Sequence, residues 1–181
     1  MELDRDALQA AILKQYADEH AALGAAGTLA LLERGRQWDL SGVLARGGVI
    51  VFPHAGVADC GHQIAAAVHA CLDSGADRVL VISVLHAFTD EMQEARVRVA
   101  AGEAPSTFQH WGIQGSGLAG RLEWRSDHAL MSFRHLWQAE TQRRGIKGPE
   151  VVERYPYLAG GKPWELPGFA DVAKLAEHAA T

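Results

Sequence analysis

Histidines stand at the ends of two β-branched runs, Val49-Ile50-Val51-Phe52-Pro53-His54 and Val79-Leu80-Val81-Ile82-Ser83-Val84-Leu85-His86. Imidazole is the commonest metal ligand, so such a pair is a natural start for a metal site. The runs read as two short buried strands, 49–53 and 78–85, joined by a helical stretch near 60–74. A β-α-β unit of this kind makes its strands parallel. Neighbouring parallel strands lie about 4.8 Å apart. Both rings are therefore expected at the same sheet edge, beyond the carboxyl ends of the strands, where open α/β sheets bind ligands.

Other residues can complete such a site. His128 opens a helix after a short third strand at Leu122-Glu123-Trp124, and it offers a third metal ligand. Asp127, beside it, either accepts an imidazole N–H or caps the helix. His110 lies in the Gly-, Ser- and Pro-rich stretch 103–120, long enough to fold over a pocket, and could move protons there. Cys60, at the start of the 60–74 helix, is either a nucleophile whose pKa the helix N-terminus lowers or a small buried thiol. Asp59 and His62 flank it, and His62 could face the site. His69 and Cys71, further down that helix, are expected to be structural; His135 is expected to pack or reach solvent; His20 and His178 are expected at the surface.

The elements that must position these groups follow from punctuation and periodicity. Residues 4–34 carry two helical stretches, with a break at Gly24 and Gly27; Leu8, Ile12 and Leu13 drive the first, and Leu29, Leu31 and Leu32 the second. Ile64, Ala67, Val68 and Cys71 form the sheet-facing stripe of the 60–74 helix. The run 78–85 shows no alternation, as in a strand covered on both faces. A charged helix follows from Thr89 to about Gly102, a further helix runs from Ser126 or Asp127 to about Arg143, and Asp171 to Ala180 closes the chain. The expected fold is one α/β domain over 1–181: a three-layer sandwich around a mostly parallel sheet. Its parts are a helical segment (1–45), a core (46–145) and a C-terminal arm and helix (146–181).

Bulk properties narrow the function. With 181 residues, 48% apolar and 22% charged, the chain has the composition of a globular domain. A net charge of -5 with scattered Lys and Arg argues against nucleic-acid binding. No apolar run approaches the roughly 18 residues of a membrane span, and the acidic N-terminus is unlike a signal peptide, so a cytoplasmic location is expected. Cys60 and Cys71 are separated by about three helical turns, which makes both free thiols. No Gly-x-Gly-x-x-Gly follows either strand, Gly115-Ser116-Gly117 reads as a flexible loop, and Walker, His-Glu-x-x-His, Cys-x-x-Cys and Gly-x-Ser-x-Gly motifs are absent.

The segment Gly48-Val49-Ile50-Val51-Phe52-Pro53-His54-Ala55-Gly56, followed by Cys60-Gly61, resembles the opening motif of the MEMO-like family, a Pro-His-Ala-Gly turn and a Cys-Gly helix start. The family's Gly-Pro-Ser-His strand end is matched loosely by Ser83-Val84-Leu85-His86. Its Glu-His-Ser-x-Glu signature is echoed by Asp127-His128-Ala129-Leu130-Met131, which keeps the histidine and loses the second acid at Met131. The family is longer, and its later Ser-Asp-Phe-x-His segment and C-terminal cysteine have no counterpart here. The resemblance thus implies a shortened or divergent member, related in fold to the class III extradiol dioxygenases, with His54 and His86 as the metal pair and iron or copper as the metal.

Three functions stay open at this stage. The first is a metal-dependent enzyme, dioxygenase-like or hydrolytic, binding Fe or Zn (Cu being possible) through His54, His86 and His128, and acting on a small molecule. The second is a non-catalytic binding module that has lost a complete site. The third is a metal-free hydrolase or lyase using Cys60 with a histidine. The aromatic and glycine-rich stretch 153–169 is expected either to close over the pocket or to grip a partner subunit in a homo-oligomer.

Overall fold

The computed structural model describes residues 5–83, 128–154 and the single residues 94, 98, 103, 174 and 177. His86, His110, Asp127, His178, the expected third strand and the aromatic arm beyond 154 lie outside the described residues. Helix and strand are mixed in the chain: α1 (Arg5–Gly35), α2 (Ser41–Leu44), α3 (Val57–Asp73), β1 (Arg78–Ile82), α4 (His128–Arg144) and β2 (Glu150–Arg154). Among the described residues no helix is long and apolar enough to cross a membrane.

The chain divides into two compact units. One holds residues 1–11, 78–127 and 151–181, and its described regular structure is mainly the parallel pair of β1 and β2. In β1, Val81 is buried and Ile82 is 41% exposed, so the strand is not covered throughout on both faces. Strand β2 was not foreseen from the sequence. Its signal is the Gly148-Pro149 turn, with Gly148 at φ +71°, ahead of the β-branched pair Val151-Val152.

The other unit, residues 12–77 and 128–150, is helical and carries the candidate site. Helix α1 breaks at Gly24, as its glycines suggest. There φ is +61°, a backbone region costly for any residue with a Cβ. Downstream of the break Leu32 is buried, whereas Leu29 stays 41% exposed. The C-terminal end of α1 lies close against α3: a Cβ on Gly35 would sit 2.7 Å from the Ala65 Cβ and 2.8 Å from the Ala66 nitrogen. The expected stripe of α3, Ile64, Ala67, Val68 and Cys71, is buried. Among the described elements the main packing partners of α3 are α4 and α2. From α4, Leu130, Phe133 and Leu136 are exposed by 1% or less, and Phe133 stacks on Trp137 with ring centroids 5.6 Å apart.

Residues 49–53 depart most from expectation. They form no strand. Phe52 is drawn onto the helical core instead, stacking on Phe133 at 5.7 Å and 10°. The chain then turns through Pro53 and His54 into α3, which Gly56 precedes in an extended conformation. Both cysteines are free and buried, as their helical spacing requires.

Candidate functional site: a histidine face between α1 and α4

The break in α1 leaves Tyr16 and His20 one turn apart on one side and Thr28 on the other. On α4, His128, Ser132 and His135 recur at helical spacing along one face. The two sets meet in three steps. Tyr16 Oη and His128 Nδ1 share a hydrogen bond of 3.0 Å. His20 stacks on His135 with centroids 4.6 Å apart and planes 13° from parallel, and its Nε2 lies 3.4 Å from Ser132 Oγ. His135 Nε2 lies 2.9 Å from Thr28 Oγ1. The Thr28 hydroxyl donates its single proton to the Gly24 carbonyl at 2.8 Å. It must therefore accept from His135, which fixes the proton of that neutral ring on Nε2.

His54 joins this face from the loop before α3. Its ring meets that of His128 edge-on, with centroids 4.4 Å apart and planes at 90°. The structure thus brings together two of the three histidines the sequence singles out as metal ligands. The third, His86, lies outside the described residues, as do His110 and Asp127. Among the described residues no group of three or more His, Cys, Asp or Glu is disposed to hold a metal ion. Glu19 lies next to His20 in α1, and its Oε2 is 2.8 Å from where a Cβ on Gly56 would be. A carboxylate is thereby set beside the start of α3, where the helix dipole favours negative charge.

Burial lowers the pKa of both His20 and His135, and for His20 the neighbouring His135 adds to it while Glu19 opposes. The stacked pair is therefore neutral at physiological pH. His20 is not the surface residue the sequence suggests; the stack half-buries it. His62 does not join the face and packs against Trp38 at 5.5 Å.

Cys60 is placed differently from a helix-activated nucleophile. Its Sγ lies 3.4 Å from the carbonyl oxygens of both Ala55 and Gly56, which accept from the thiol. Burial pushes its pKa up, and the Asp59 carboxylate adds to the rise. The thiol is a proton donor in the turn that carries His54.

A second polar cluster, which sequence reasoning missed, lies further along α4. Glu140 is fully buried and receives hydrogen bonds from Arg36 (2.8 Å), Arg143 (2.7 and 2.8 Å) and Arg144 (2.6 Å). Burial alone would raise its pKa, but the bonds from Arg143 and Arg144 outweigh it and hold the carboxyl down at about 2. His69 closes the cluster: its Nε2–H donates to the Leu32 carbonyl at 2.8 Å, and its Nδ1 accepts from Arg144 at 3.0 Å. Arg144 also pairs with Asp73. The spacing Glu140, Arg143, Arg144 (i, i+3, i+4) was the available signal; the burial was not.

Compared with known proteins, the chain matches no protein-family model, no curated protein and no solved structure.

Proposed function

We propose that this chain is a small metal-binding α/β protein of the MEMO-like type, a non-haem iron or zinc enzyme acting on a small molecule, with His54, His86 and His128 as ligands. The observation that carries the proposal is the edge-to-face contact of His54 and His128 at 4.4 Å. Metal–nitrogen bonds of about 2.1 Å require two ligating imidazoles to be immediate neighbours, and these two rings are in contact. Tyr16 engages Nδ1 of His128, which leaves Nε2 as the ligating atom and fixes the ring's orientation, as a hydrogen-bonded partner does at metal sites. A bound divalent ion would supply Lewis-acid polarisation of a substrate oxygen. The three-layer sheet expected from the sequence belongs to the same proposal.

Elemental analysis of purified protein tests it. Wild type should carry one metal ion per chain, and His54→Ala, His86→Ala and His128→Ala should each lose it. Wild type that stays metal-free after incubation with Fe(II), Zn(II) and Cu(II) would support a second reading, a binding module without a complete site. That reading is favoured by Met131, which stands where the MEMO-like motif has its second acid.

A further inference from the structure

Residues 49–53 have the composition of a strand and none of its hydrogen bonds. Among the described residues, no backbone group of Val49, Ile50, Val51 or Phe52 takes part in one. Exposure nevertheless alternates with the period of a strand: Val49 is 80% and Val51 89% exposed, while Ile50 and Phe52 are half-buried and Phe52 is anchored on Phe133. A segment held at the surface with unpaired donors and acceptors and bare, alternately exposed β-branched side chains is a template for another strand.

We propose that this edge pairs, antiparallel, with the same edge of a second copy of the chain. The segment is complementary to itself. With Ile50 opposite Ile50, Val49 of each copy faces Val51 of the other. Both exposed valines are then covered in cross-strand β-branched pairs. Pro53, which has no N–H to give, falls opposite Gly47 at the margin, where it interrupts nothing. Gly47 has φ +74°, so a strand-like run ends there on the other side. No charged residue lies between 47 and 53, so the net charge of -5 puts no like-charge pair along the seam. A contact made by one patch on its own copy is isologous and closes at two chains. The dimer is independent of whether His54 and His128 bind metal.

Sedimentation of the full chain across a wide range of protein concentration tests the pairing. Wild type should show a reversible monomer–dimer equilibrium. Val51→Lys should sediment as monomer with an unchanged circular dichroism spectrum, because the side chain it replaces is already in solvent. Register is read by cysteine pairing under mild oxidation. An equimolar mixture of Val49→Cys and Val51→Cys chains should form disulfide dimers several-fold faster than either variant alone. A wild type that is monomeric throughout, whatever else binds the edge, would overturn the proposal. So would a dimer that Val51→Lys leaves intact, or cysteine variants that cross-link as fast alone as together.

Discussion

Helix α4 carries two polar clusters that handle charge in opposite ways. Near its start, His128 and His135 meet Tyr16, His20 and Thr28 through a shared hydrogen bond, a ring stack and a hydroxyl acceptor. Toward its end, Glu140 is buried with its charge and answered by three guanidinium groups. Twelve residues separate His128 from Glu140, about 18 Å along the helix. The ionic cluster has its hydrogen bonds met within the fold and is committed to holding α1, α3 and α4 together. The histidine face instead sets ring nitrogens against hydroxyl groups, with no ion pair among the contacts described. Burial alone does not mark a site; what marks it is whether the buried group still has chemistry to offer.

The largest effect expected from breaking this contrast is at Glu140. Removing it by Glu140→Ala leaves Arg36, Arg143 and Arg144 facing one another around an empty position. An orphaned buried charge costs about 3–5 kcal/mol; here Arg36 and Arg143 reach solvent and Arg144 keeps Asp73, so the loss falls at the low end of that range. Urea denaturation should show that loss, with metal content unchanged, because the histidine face is built from other residues. A change in metal binding equal to that of His128→Ala would mean the two clusters are not separate devices.

The clusters should also differ in how they fail with pH. His20 and His135 have pKa values lowered from 6.5, chiefly by burial. Below about pH 6.5 the unfolded chain therefore binds protons that the folded chain refuses, and stability falls as pH drops through that value. Glu140 acts lower. Its carboxyl moves from an ordinary 4.5 to about 2, so the stability it gives is present above 4.5 and is lost as pH falls from there toward 2. Thermal melts should show two acid limbs. His135→Gln should weaken the upper one and leave the lower one in place.

How much of this was legible in the sequence depends on what kind of signal each part sends. Helix α3 with its stripe of Ile64, Ala67, Val68 and Cys71, the break at Gly24 and the span of α4 were readable because periodicity and glycine placement are local. The candidate ligands His54 and His128 were readable from their positions at loop and helix starts. Their contact with each other was not, since it depends on how the loop before α3 lies against α4. The strand expected at 49–53 shows the limit of composition. Val49 and Val51 have strong β propensity, but propensity expresses itself through a neighbouring strand, and here Phe52 finds a helical core instead. Glu140 was illegible for a related reason, because nothing local says that a charged residue among arginines is fully buried.

A smaller effect separates packing from polar satisfaction within the histidine face. Thr28→Val keeps the shape of the side chain but removes the acceptor for His135 Nε2–H. An unpaired buried donor costs about 1–3 kcal/mol, so the melting temperature should fall, though by less than for Glu140→Ala. Equal stability would show that water replaces the hydroxyl and that the face is wetter than its burial implies.

Tyr16→Phe should cost least in stability and say most about function. The substitution deletes one hydroxyl from a hydrogen bond at a half-buried position, a loss of about 1 kcal/mol. If His128 is a ligand through Nε2, the same deletion frees its ring to rotate and removes the partner that fixes Nδ1. Partners of that kind are worth about 10- to 100-fold in metal affinity. Titration of the variant with Zn(II) should therefore show weakened binding out of proportion to the small change in its urea midpoint. Unchanged affinity would reduce the Tyr16–His128 bond to ordinary interhelical packing and leave His54 without a positioned neighbour for a shared ion.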